Sequence, residues 1–214
     1  AGTQAAPISK AANSSHVAWE PEDISAIVNA TPTFWAVTND ATASGTRALY
    51  APGANGTAAP SSFATYAIRF REPGDYTLSF RWRADKAFTD LDPNSGNSYY
   101  RPNEFGELPA DVANSGVSAA NNTRVPPDVN NYAMIAETQI YSVTQEQVDA
   151  GVPLILKLGT REAGMFIDRL VLSLNPLTEA EFINNISIPS TRAYVLSILG
   201  RYRSQKARAQ ATRP

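Results

Sequence analysis

The chain has 214 residues, 43% of them hydrophobic, and no cysteine, which indicates a globular protein and excludes a disulfide framework or a thiolate metal site. No run approaches the roughly 18 apolar residues that a membrane-spanning helix needs. The net charge of −2 conceals an asymmetry, because all 20 acidic residues lie at or before Glu181 and six of the 18 basic residues follow it. Such a basic tail predicts contact with an anionic membrane surface, an acidic partner protein or the acidic body of the chain itself, and we expect no nucleic-acid partner.

Residues 1–16 show no hydrophobic periodicity and predict an extended N-terminal arm. The opening AGTQAAP would suit a mature N-terminus left by signal cleavage. Loops rich in Asn, Ser, Thr, Gly and Pro, together with a charged fraction of only 18%, favour an exported protein, whether extracellular, at the cell surface or periplasmic.

Two alternating strands are the clearest elements in the middle of the chain. TYAIRF and YTLSFRWR each place apolar residues on one face: Tyr66, Ile68 and Phe70 in the first, and Tyr76, Leu78, Phe80 and Trp82 in the second. Because REPGD between them is typical of a turn, the pattern predicts a hairpin in which Phe70 lies opposite Tyr76. Arg69, Arg81 and Arg83 would then share its outer, solvated face.

Residues 85–131 interrupt this pattern with a segment rich in Asn, Pro, Gly and Ser, in which no regular element is evident. Loops of this length are usually functional or disordered. Within it, DLDPNSG places Asp90, Asp92 and Asn94 at alternate positions, and oxygen ligands at this spacing suit Ca²⁺. The alternative is an ordinary polar turn, because Arg101 stands where the calcium loop of helix–loop–helix proteins has a bidentate glutamate.

Strand patterns resume with YAMIAETQIYSV, PLILKLG and GMFIDRLVLS, and TQEQVDAG after the first of them predicts a short capped helix closed by a glycine. Several short alternating strands with few helices and Gly/Pro turns indicate an all-β fold, an antiparallel β-sandwich. We expect the sandwich to occupy residues 17–176, with residues 85–131 as a long loop insertion.

The last strand contains an anomaly, because a carboxylate interrupts an apolar row. Its even positions, which share one face of a regular strand, are Phe166, Asp168, Leu170, Leu172 and Leu174. An unpaired carboxylate in the core would cost several kcal/mol, so Asp168 requires a counter-charge.

Two counter-charges for Asp168 can be named. One is a Ca²⁺ that Asp168 shares with Glu20 and Glu22, which would need the first and last strands to be neighbours. The other is a local ion pair with Arg161 or Arg169.

Residues 177–214 predict a helical, basic C-terminal extension. TEAEFINN begins with Thr178, and Glu181 follows at the spacing of a capping box. Further on, Ser190 is a candidate N-cap of an amphipathic helix that carries arginines beside its apolar stripe. Packing on the parent domain or on a membrane surface would cover such a stripe. Contact with a partner subunit is the third possibility, and its candidate residues are Tyr194, Ile198, Tyr202, Arg201 and Arg203.

Catalytic chemistry has little support in the sequence. His16 is the only histidine, and without cysteine the familiar nucleophile–base pairs are nearly excluded. A carboxylate pair for glycoside hydrolysis is the remaining enzymatic alternative, although no pair among the 20 acidic residues stands out. Aromatic rings in loops can instead stack on sugars, and the candidate carbohydrate-binding residues are Trp35, Tyr50, Tyr99 and Tyr100.

Several stretches in their order along the chain resemble one group of domains: WEPED, SGTRALYAPG, YAIRFREPGDYTLSFRWRA and YSVTQEQVDAGVPLILKLGTREAGMFIDRLVLS. Over residues 17–174 the chain resembles the galactose-binding-like jelly rolls of carbohydrate-binding module families 6 and 35. The resemblance implies a jelly-roll β-sandwich that binds polysaccharide. It also implies a structural Ca²⁺ held by an early glutamate pair and the aspartate of the last strand, which here are Glu20, Glu22 and Asp168.

Two functions remain open on this basis. The first is a non-catalytic, exported module that binds polysaccharide through loop aromatics and holds calcium as a structural ion. The second is a structural or accessory subunit of a cell-envelope or multiprotein assembly, whose insertion and terminal arms contact partner subunits. The composition near the last strand favours the second, because EAGMFID contains no asparagine and no tryptophan follows Trp82, whereas the resembling families usually line their cleft with such residues.

Overall fold

A computed structural model of the chain describes residues 8–9, 16–29, 35–53, 62–90, 96, 99–108 and 132–184. These residues form two mainly antiparallel sheets that pack face to face, so the predicted all-β sandwich is confirmed. Successive strands pass repeatedly from one sheet to the other, which is the connectivity of a jelly roll. No described helix is long and apolar enough to cross a membrane.

Sheet A consists of β1 (Ile8–Ser9), β3 (Ala26–Val28), β6 (Phe63–Arg69), β8 (Tyr99–Tyr100) and β10 (Leu154–Thr160). Strand β10 runs antiparallel along one side of β6 and pairs with β8 beyond it. On the other side, β6 pairs with β3 at one end and with β1, in parallel, at the other.

Sheet B consists of β2 (His16–Trp19), β4 (Ala36–Asn39), β5 (Arg47–Ala51), β7 (Gly74–Ala84), β9 (Ala133–Val143) and β11 (Met165–Ser173). Strand β11 lies at its centre and pairs with β7 along its whole length. Its other side is divided between β5, opposite the first half, and β2, opposite the second half. The first and last strands of the predicted sandwich are therefore neighbours, as the shared-calcium hypothesis requires.

The core between the sheets includes the alternating apolar residues of TYAIRF and YTLSFRWR. Its largest fully buried side chains are Trp19, Trp35, Trp82, Tyr66, Tyr76, Tyr99, Tyr141, Phe80 and Leu49. Removing this much aromatic and aliphatic surface from water is the main favourable contribution to folding.

The hairpin predicted from TYAIRF and YTLSFRWR does not form. Strand β6 belongs to sheet A and β7 to sheet B, so the two apolar faces meet across the core instead of lying side by side. Phe70 and Tyr76 still pack together, with ring centroids 4.7 Å apart. As a result Arg69 lies on a different sheet from Arg81 and Arg83, and the predicted stripe of three arginines is wrong.

A β-bulge at Arg169 resolves the anomaly of the last strand. Asp168 lies opposite Arg81, but Leu170 already lies opposite Phe80, so Arg169 is an extra residue in β11, and its φ is +36°. Because one inserted residue exchanges the two faces of a strand, Ile167 and Leu170 both point into the core. Asp168 therefore lies on the outer face of sheet B and not in the apolar row.

Two short helices form at the capping motifs. In α2 (Gln145–Ala150), Thr144 and Gln147 make a reciprocal capping box and Gly151 ends the helix with φ +62°. In α3 (Glu179–Asn184), the Glu181 carboxylate accepts from Thr178, and the Thr178 hydroxyl accepts from the Glu181 N–H. Phe182 of α3 is fully buried against Val171 on the outer face of sheet B.

The start of the predicted insertion contains regular structure that its composition did not indicate. A single helical turn, α1 (Lys86–Thr89), follows β7, and β8 pairs with β10. The segment after β8 is held to β9, because Arg101 donates to the Gln139 side chain at 2.9 Å and the Tyr141 hydroxyl donates to the Pro102 carbonyl at 3.1 Å. His16, which the sequence places in the arm, begins β2. The domain boundaries themselves stay a prediction.

Candidate functional site

The candidate site lies on the outer face of sheet B, where β5 and β2 succeed each other along β11. Strand β5 pairs with β11 as far as Ile167, and β2 takes over at Leu170. Asp168 and the bulged Arg169 therefore lie at the junction between two partner strands. The loop that joins β4 to β5 and the residues that follow β2 converge on this junction, as the contacts below show.

Asp168 is fully buried, and all of its described hydrogen bonds come from two residues. The Ser44 N–H donates to Asp168 Oδ2 at 3.1 Å, and Arg81 Nη1 donates to the same oxygen at 2.9 Å. The Ser44 hydroxyl lies 2.7 Å from Asp168 Oδ1. The guanidinium of Arg81 is thus the counter-charge that the sequence required.

The local arginines proposed for Asp168 have other partners. Arg161 lies 3.4 Å from the Glu162 carboxylate, and Arg169 Nη2 lies 3.8 Å from Glu20 Oε1. The prediction of an Asp168 ion pair with either of them is wrong because the bulge turns β11, and the arginine that reaches Asp168 belongs to the neighbouring strand β7.

The Ser44 hydroxyl joins Asp168 to Glu20. Its oxygen lies 2.9 Å from Glu20 Oε2 as well as 2.7 Å from Asp168 Oδ1. A hydroxyl carries one hydrogen and can donate to only one of these oxygens. The second short O···O contact would be satisfied by a proton on one of the two carboxylates or by a cation shared by the oxygens.

Glu20 and Glu22 approach each other over Gly45. A methyl group built on Gly45 would lie 3.3 Å from Glu22 Oε1 and 3.5 Å from Glu20 Oε2, so glycine leaves room for both carboxylates. Glu22 Oε2 is buried without a hydrogen-bond partner. Burial raises the pKa of Glu20 and of Glu22 above the usual value of 4.5, and the negative charge of Asp168 raises both further.

This arrangement brings together oxygen atoms of the kind that Ca²⁺ prefers as ligands. Carboxylate and hydroxyl oxygens are hard ligands, and the buried, unpartnered Glu22 oxygen is an unused one. In the part of the chain that the structure describes, no three Asp, Glu or His side chains already surround one metal position. Binding an ion would thus require at least one of the carboxylates from Glu20, Glu22 and Asp168 to reorient.

A second aspartate on the same face is fully satisfied. Asp40 Oδ2 accepts from Arg83 Nη2 at 2.7 Å, from Arg83 Nε at 3.0 Å and from the Tyr132 hydroxyl at 2.8 Å. Asp40 Oδ1 accepts from the Thr42 N–H and hydroxyl. Burial alone would raise the pKa of Asp40, but the hydrogen bonds from Thr42, Arg83 and Tyr132 outweigh it and lower the pKa below its usual value.

A stack of planar side chains continues from Asp40 across sheet B. The guanidinium carbon of Arg83 lies 3.7 Å from the centroid of Phe166, whose ring stacks on Tyr50 with centroids 4.2 Å apart. On its other side Arg83 lies 5.5 Å from the centroid of Tyr132. The Tyr50 hydroxyl donates to Asp85 Oδ2 at 3.0 Å, and burial followed by this bond raises the pKa of Tyr50 to about 12.

Three of the four aromatic residues predicted to bind sugar are in the core. Trp35 is buried, and its indole N–H donates to the Leu158 carbonyl at 2.7 Å. Tyr99 and Tyr100 are buried on β8, and Tyr99 packs edge-on against Phe80. Rings without an exposed face cannot stack on a sugar, so the prediction is wrong for these three. Tyr50 alone of the four is half-exposed.

The remaining predicted metal-binding and partner-binding residues either have another partner or lie outside the described residues. Asp90 is exposed and forms an ion pair with Lys86 at 2.6 Å, whereas Asp92 and Asn94 lie outside the described residues. The proposed partner contacts Tyr194, Ile198, Arg201, Tyr202 and Arg203 also lie outside them. These sites stay predictions.

Ser44 and Arg81 are the members of the site that the sequence reasoning missed. Arg81 alternates with apolar residues on β7, so the sequence predicts that it points away from the core. Its partner could not be predicted, because it depends on which strand lies beside β7. Ser44 lies next to Gly45 between β4 and β5, and a small polar pair in that loop was the only available signal.

Comparisons with known proteins concern the fold. No family model and no curated protein sequence matches the chain. Among solved structures, a family 35 carbohydrate-binding module from Clostridium thermocellum is similar at 13% identity, with 74% of this chain and 98% of the module covered and a TM-score of 0.43. A xanthan lyase from Paenibacillus is 16% identical over 82% of this chain, with a TM-score of 0.46.

A third similar structure holds the CBM22-1 and GH10 modules of xylanase 10B from Clostridium thermocellum, at 15% identity over 69% of this chain and a TM-score of 0.35. This chain spans 14% of the lyase chain and 26% of the xylanase chain, so the activities of those enzymes belong to the larger proteins.

Proposed function

We propose that this chain is a non-catalytic, exported module that binds polysaccharide and is stabilised by a Ca²⁺ held at Glu20, Glu22 and Asp168. The observation that carries the proposal is the convergence of these three carboxylates around Ser44 and Gly45. They are the residues on which the resemblance to carbohydrate-binding module families 6 and 35 places a structural calcium.

Calcium would satisfy the carboxylate oxygens that the arginines leave unpartnered. Arg81, Arg169 and Arg47 act on the three carboxylates, but Glu22 keeps an unpartnered buried oxygen and the pKa values of Glu20 and Glu22 are raised. The residues themselves join three parts of the fold: the end of β2, the loop between β4 and β5, and the bulge of β11. Their role would be to fix the sandwich from which a sugar-binding surface is presented.

Polysaccharide binding is tested by affinity gel electrophoresis of the whole chain in gels that contain plant or algal polysaccharides, with Ca²⁺ or with EDTA. We expect retardation on at least one neutral polysaccharide in Ca²⁺. Migration that no polysaccharide in a broad panel changes would overturn the proposal. A reference protein of similar size and charge separates binding from sieving by the gel.

A structural role in an assembly is the second candidate, and the burial of Trp35, Tyr99 and Tyr100 favours it because fewer aromatic rings are left for sugar. The insertion and the terminal regions would then contact partner subunits. Removing residues 186–214 should leave a folded protein that no longer assembles, as measured by thermal melting and light scattering. A full-length chain that is monomeric by light scattering would contradict this candidate.

A further inference from the structure

One row of side chains crosses the outer face of sheet B at a single register. Ala36 on β4 lies opposite Tyr50 on β5, Tyr50 lies opposite Phe166 on β11, and Phe166 lies opposite Arg83 on β7. Directly opposite residues on one face of a sheet touch, so these side chains form a continuous line. Tyr132, the residue before β9, continues the line beyond Arg83.

Every member of this row except Ala36 carries a planar group. Tyr50 and Phe166 stack with 4.2 Å between centroids and 25° between planes, and the Arg83 guanidinium lies 3.7 Å from the Phe166 centroid. The row ends at Ala36, which offers only a methyl group. Neighbouring strands are about 4.8 Å apart, so a flat group above Ala36 would lie about as far from Tyr50 as Phe166 does on the other side.

Tyr50 is held rigidly in this row. Its hydroxyl donates to Asp85 Oδ2, and Asp85 Oδ1 accepts from the Ala87 N–H at the start of α1. Phe166, at 8% exposure, supports one face of the ring. A ring that is already immobile loses little conformational entropy when a ligand binds to it.

The place above Ala36 is at the edge of the sheet. Among the strands that the structure describes, β4 pairs only with β5, and Thr38, in the next row of β4, is half-exposed. A ligand there could extend past the edge of the sandwich at both ends. This suits one ring of a long chain better than an isolated small molecule.

The charges around this place oppose an acidic ligand. Asp85 contacts Tyr50 directly, and the nearest arginine in the row, Arg83, is already bound to Asp40. Up to Glu181 the chain carries 20 acidic and 12 basic residues, a balance of 12 − 20 = −8. A uronic acid or a sulfated sugar would meet repulsion here, and a neutral sugar would not.

We infer that a neutral pyranose of a polysaccharide stacks its C–H face on Tyr50 above Ala36, on the outer face of sheet B. The inference rests on the proposed function and gives it a place and a ligand class. Apolar C–H faces of sugars match aromatic rings, and their hydroxyl groups would point to water and towards Thr38. The site is on the outer face of β4 and β5, at the edge of the described sheet, and uses no residue of the loops beside the last strand.

Filling the place above Ala36 is the sharpest test. Ala36→Leu puts a branched side chain beside Tyr50, where we expect it to weaken binding to a neutral polysaccharide such as glucomannan, arabinoxylan or mixed-linkage glucan by about tenfold or more. Because it adds apolar surface at a half-exposed position, it should not lower the melting temperature. Ala36→Ser is the matched control and should bind as the original chain does.

The ring itself is tested by Tyr50→Ala, which should abolish retardation, and by Tyr50→Phe, which keeps the ring and should retain most of it. Phe63→Ala is the control on the other sheet, because Phe63 is also half-exposed, with Lys157 5.8 Å from its centroid. It should leave binding unchanged.

The outcomes separate the inference from the function on which it rests. If the original chain binds no polysaccharide, the proposed function fails and the inference fails with it. If the original chain binds and Ala36→Leu binds equally well, or Phe63→Ala alone loses binding, the stacking site is overturned while the function stands. Binding only to acidic polymers such as polygalacturonate, alginate or carrageenan would also overturn it.

Discussion

Two aspartates on one face of sheet B are each bound to an arginine of β7, yet their surroundings differ. Asp40 is bound to Arg83. Asp168 is bound to Arg81, which lies two residues before Arg83 on β7. Around Asp40, donors from Thr42, Arg83 and Tyr132 fill both carboxylate oxygens, and the pKa is lowered.

Around Asp168, the carboxylates are less completely satisfied, although Arg81, Arg169 and Arg47 all act on them. Glu20 and Glu22 lie close enough for the Asp168 charge to raise their pKa values, and one Glu22 oxygen has no partner. A buried ion pair is therefore weak evidence for a functional site, since structural and functional pairs look alike. The two sites here differ in what remains after the ion pair has formed: around Asp168 a carboxylate oxygen of Glu22 has no partner and two pKa values are raised, whereas both oxygens of Asp40 are satisfied.

The largest expected loss of stability follows from replacing Asp40, whose two carboxylate oxygens are both hydrogen-bonded. Asp40→Ala leaves Arg83 without its carboxylate in a largely buried position, and breaking such a pair costs about 3–5 kcal/mol of unfolding free energy. Urea denaturation measures this. Asp90→Ala is the control, because the Lys86–Asp90 pair is exposed and its loss should cost less than about 1 kcal/mol. Equal losses in the two variants would contradict the comparison.

The second prediction concerns Glu22→Gln, whose melting temperature relative to the original chain should be higher in EDTA and lower in excess Ca²⁺. In EDTA, Glu22→Gln removes a negative charge that burial destabilises and should raise the melting temperature slightly. In excess Ca²⁺, the original chain should gain stability, by about 2.7 kcal/mol at a hundred times the Kd, and the variant should gain less. Thermal melts in both buffers measure the difference.

Asp168→Asn should also remove the response to calcium, and Glu104→Gln, an exposed site, should leave it intact. A melting temperature of the original chain that EDTA and Ca²⁺ leave equal would remove the calcium from the proposal.

The smallest effect is in the pH dependence. For Glu20 and Glu22 the folded-state pKa is raised above 4.5, so the folded state binds protons more tightly than the unfolded state. Their contribution to stability is full below pH 4.5 and is lost as the pH rises through the folded-state values. For Asp40 the folded-state pKa is lowered, so its contribution is present above pH 3.8 and is lost as the pH falls.

In EDTA, we therefore expect the melting temperature to fall as the pH rises above 4.5, by about 2–4 °C for each kcal/mol lost, and Ca²⁺ to flatten this slope. Replacing both glutamates by glutamine should flatten it too. A slope that persists in that double variant would come from other groups.

The sequence predicts the faces of strands better than their neighbours. Tyr66, Ile68, Leu78 and Phe80 are buried as their alternation indicates, because a period of two depends only on local geometry. Which strand lies beside which depends on how the sheets assemble. Two strands with matched apolar faces can pair in a hairpin or face each other across the core, and the sequence pattern is the same in both cases. The helix caps at Thr144 and elsewhere were predictable because their partners lie three residues away.

The same difference between local patterns and strand neighbours explains which parts of the candidate site could be predicted. The resemblance grouped Glu20, Glu22 and Asp168, and the residues alone allowed that group only on the condition that the first and last strands are neighbours, which they are. The bulge at Arg169 was not, since a single extra residue leaves no mark in composition or periodicity until the register on both sides is known. Burial of Trp35 was missed because a tryptophan beside Pro and Thr residues is typical of a loop.

The position of β11 has a consequence for how the protein is made. It is the last of the described strands along the chain, yet it lies between β7 on one side and β5 and β2 on the other. Until residue 173 has left the ribosome, the halves of sheet B have no strand to join them, and β5 and β7 each expose an edge. Sheet B therefore cannot assemble until β11 has been synthesised, a period in which chaperones would prevent aggregation of the exposed edges.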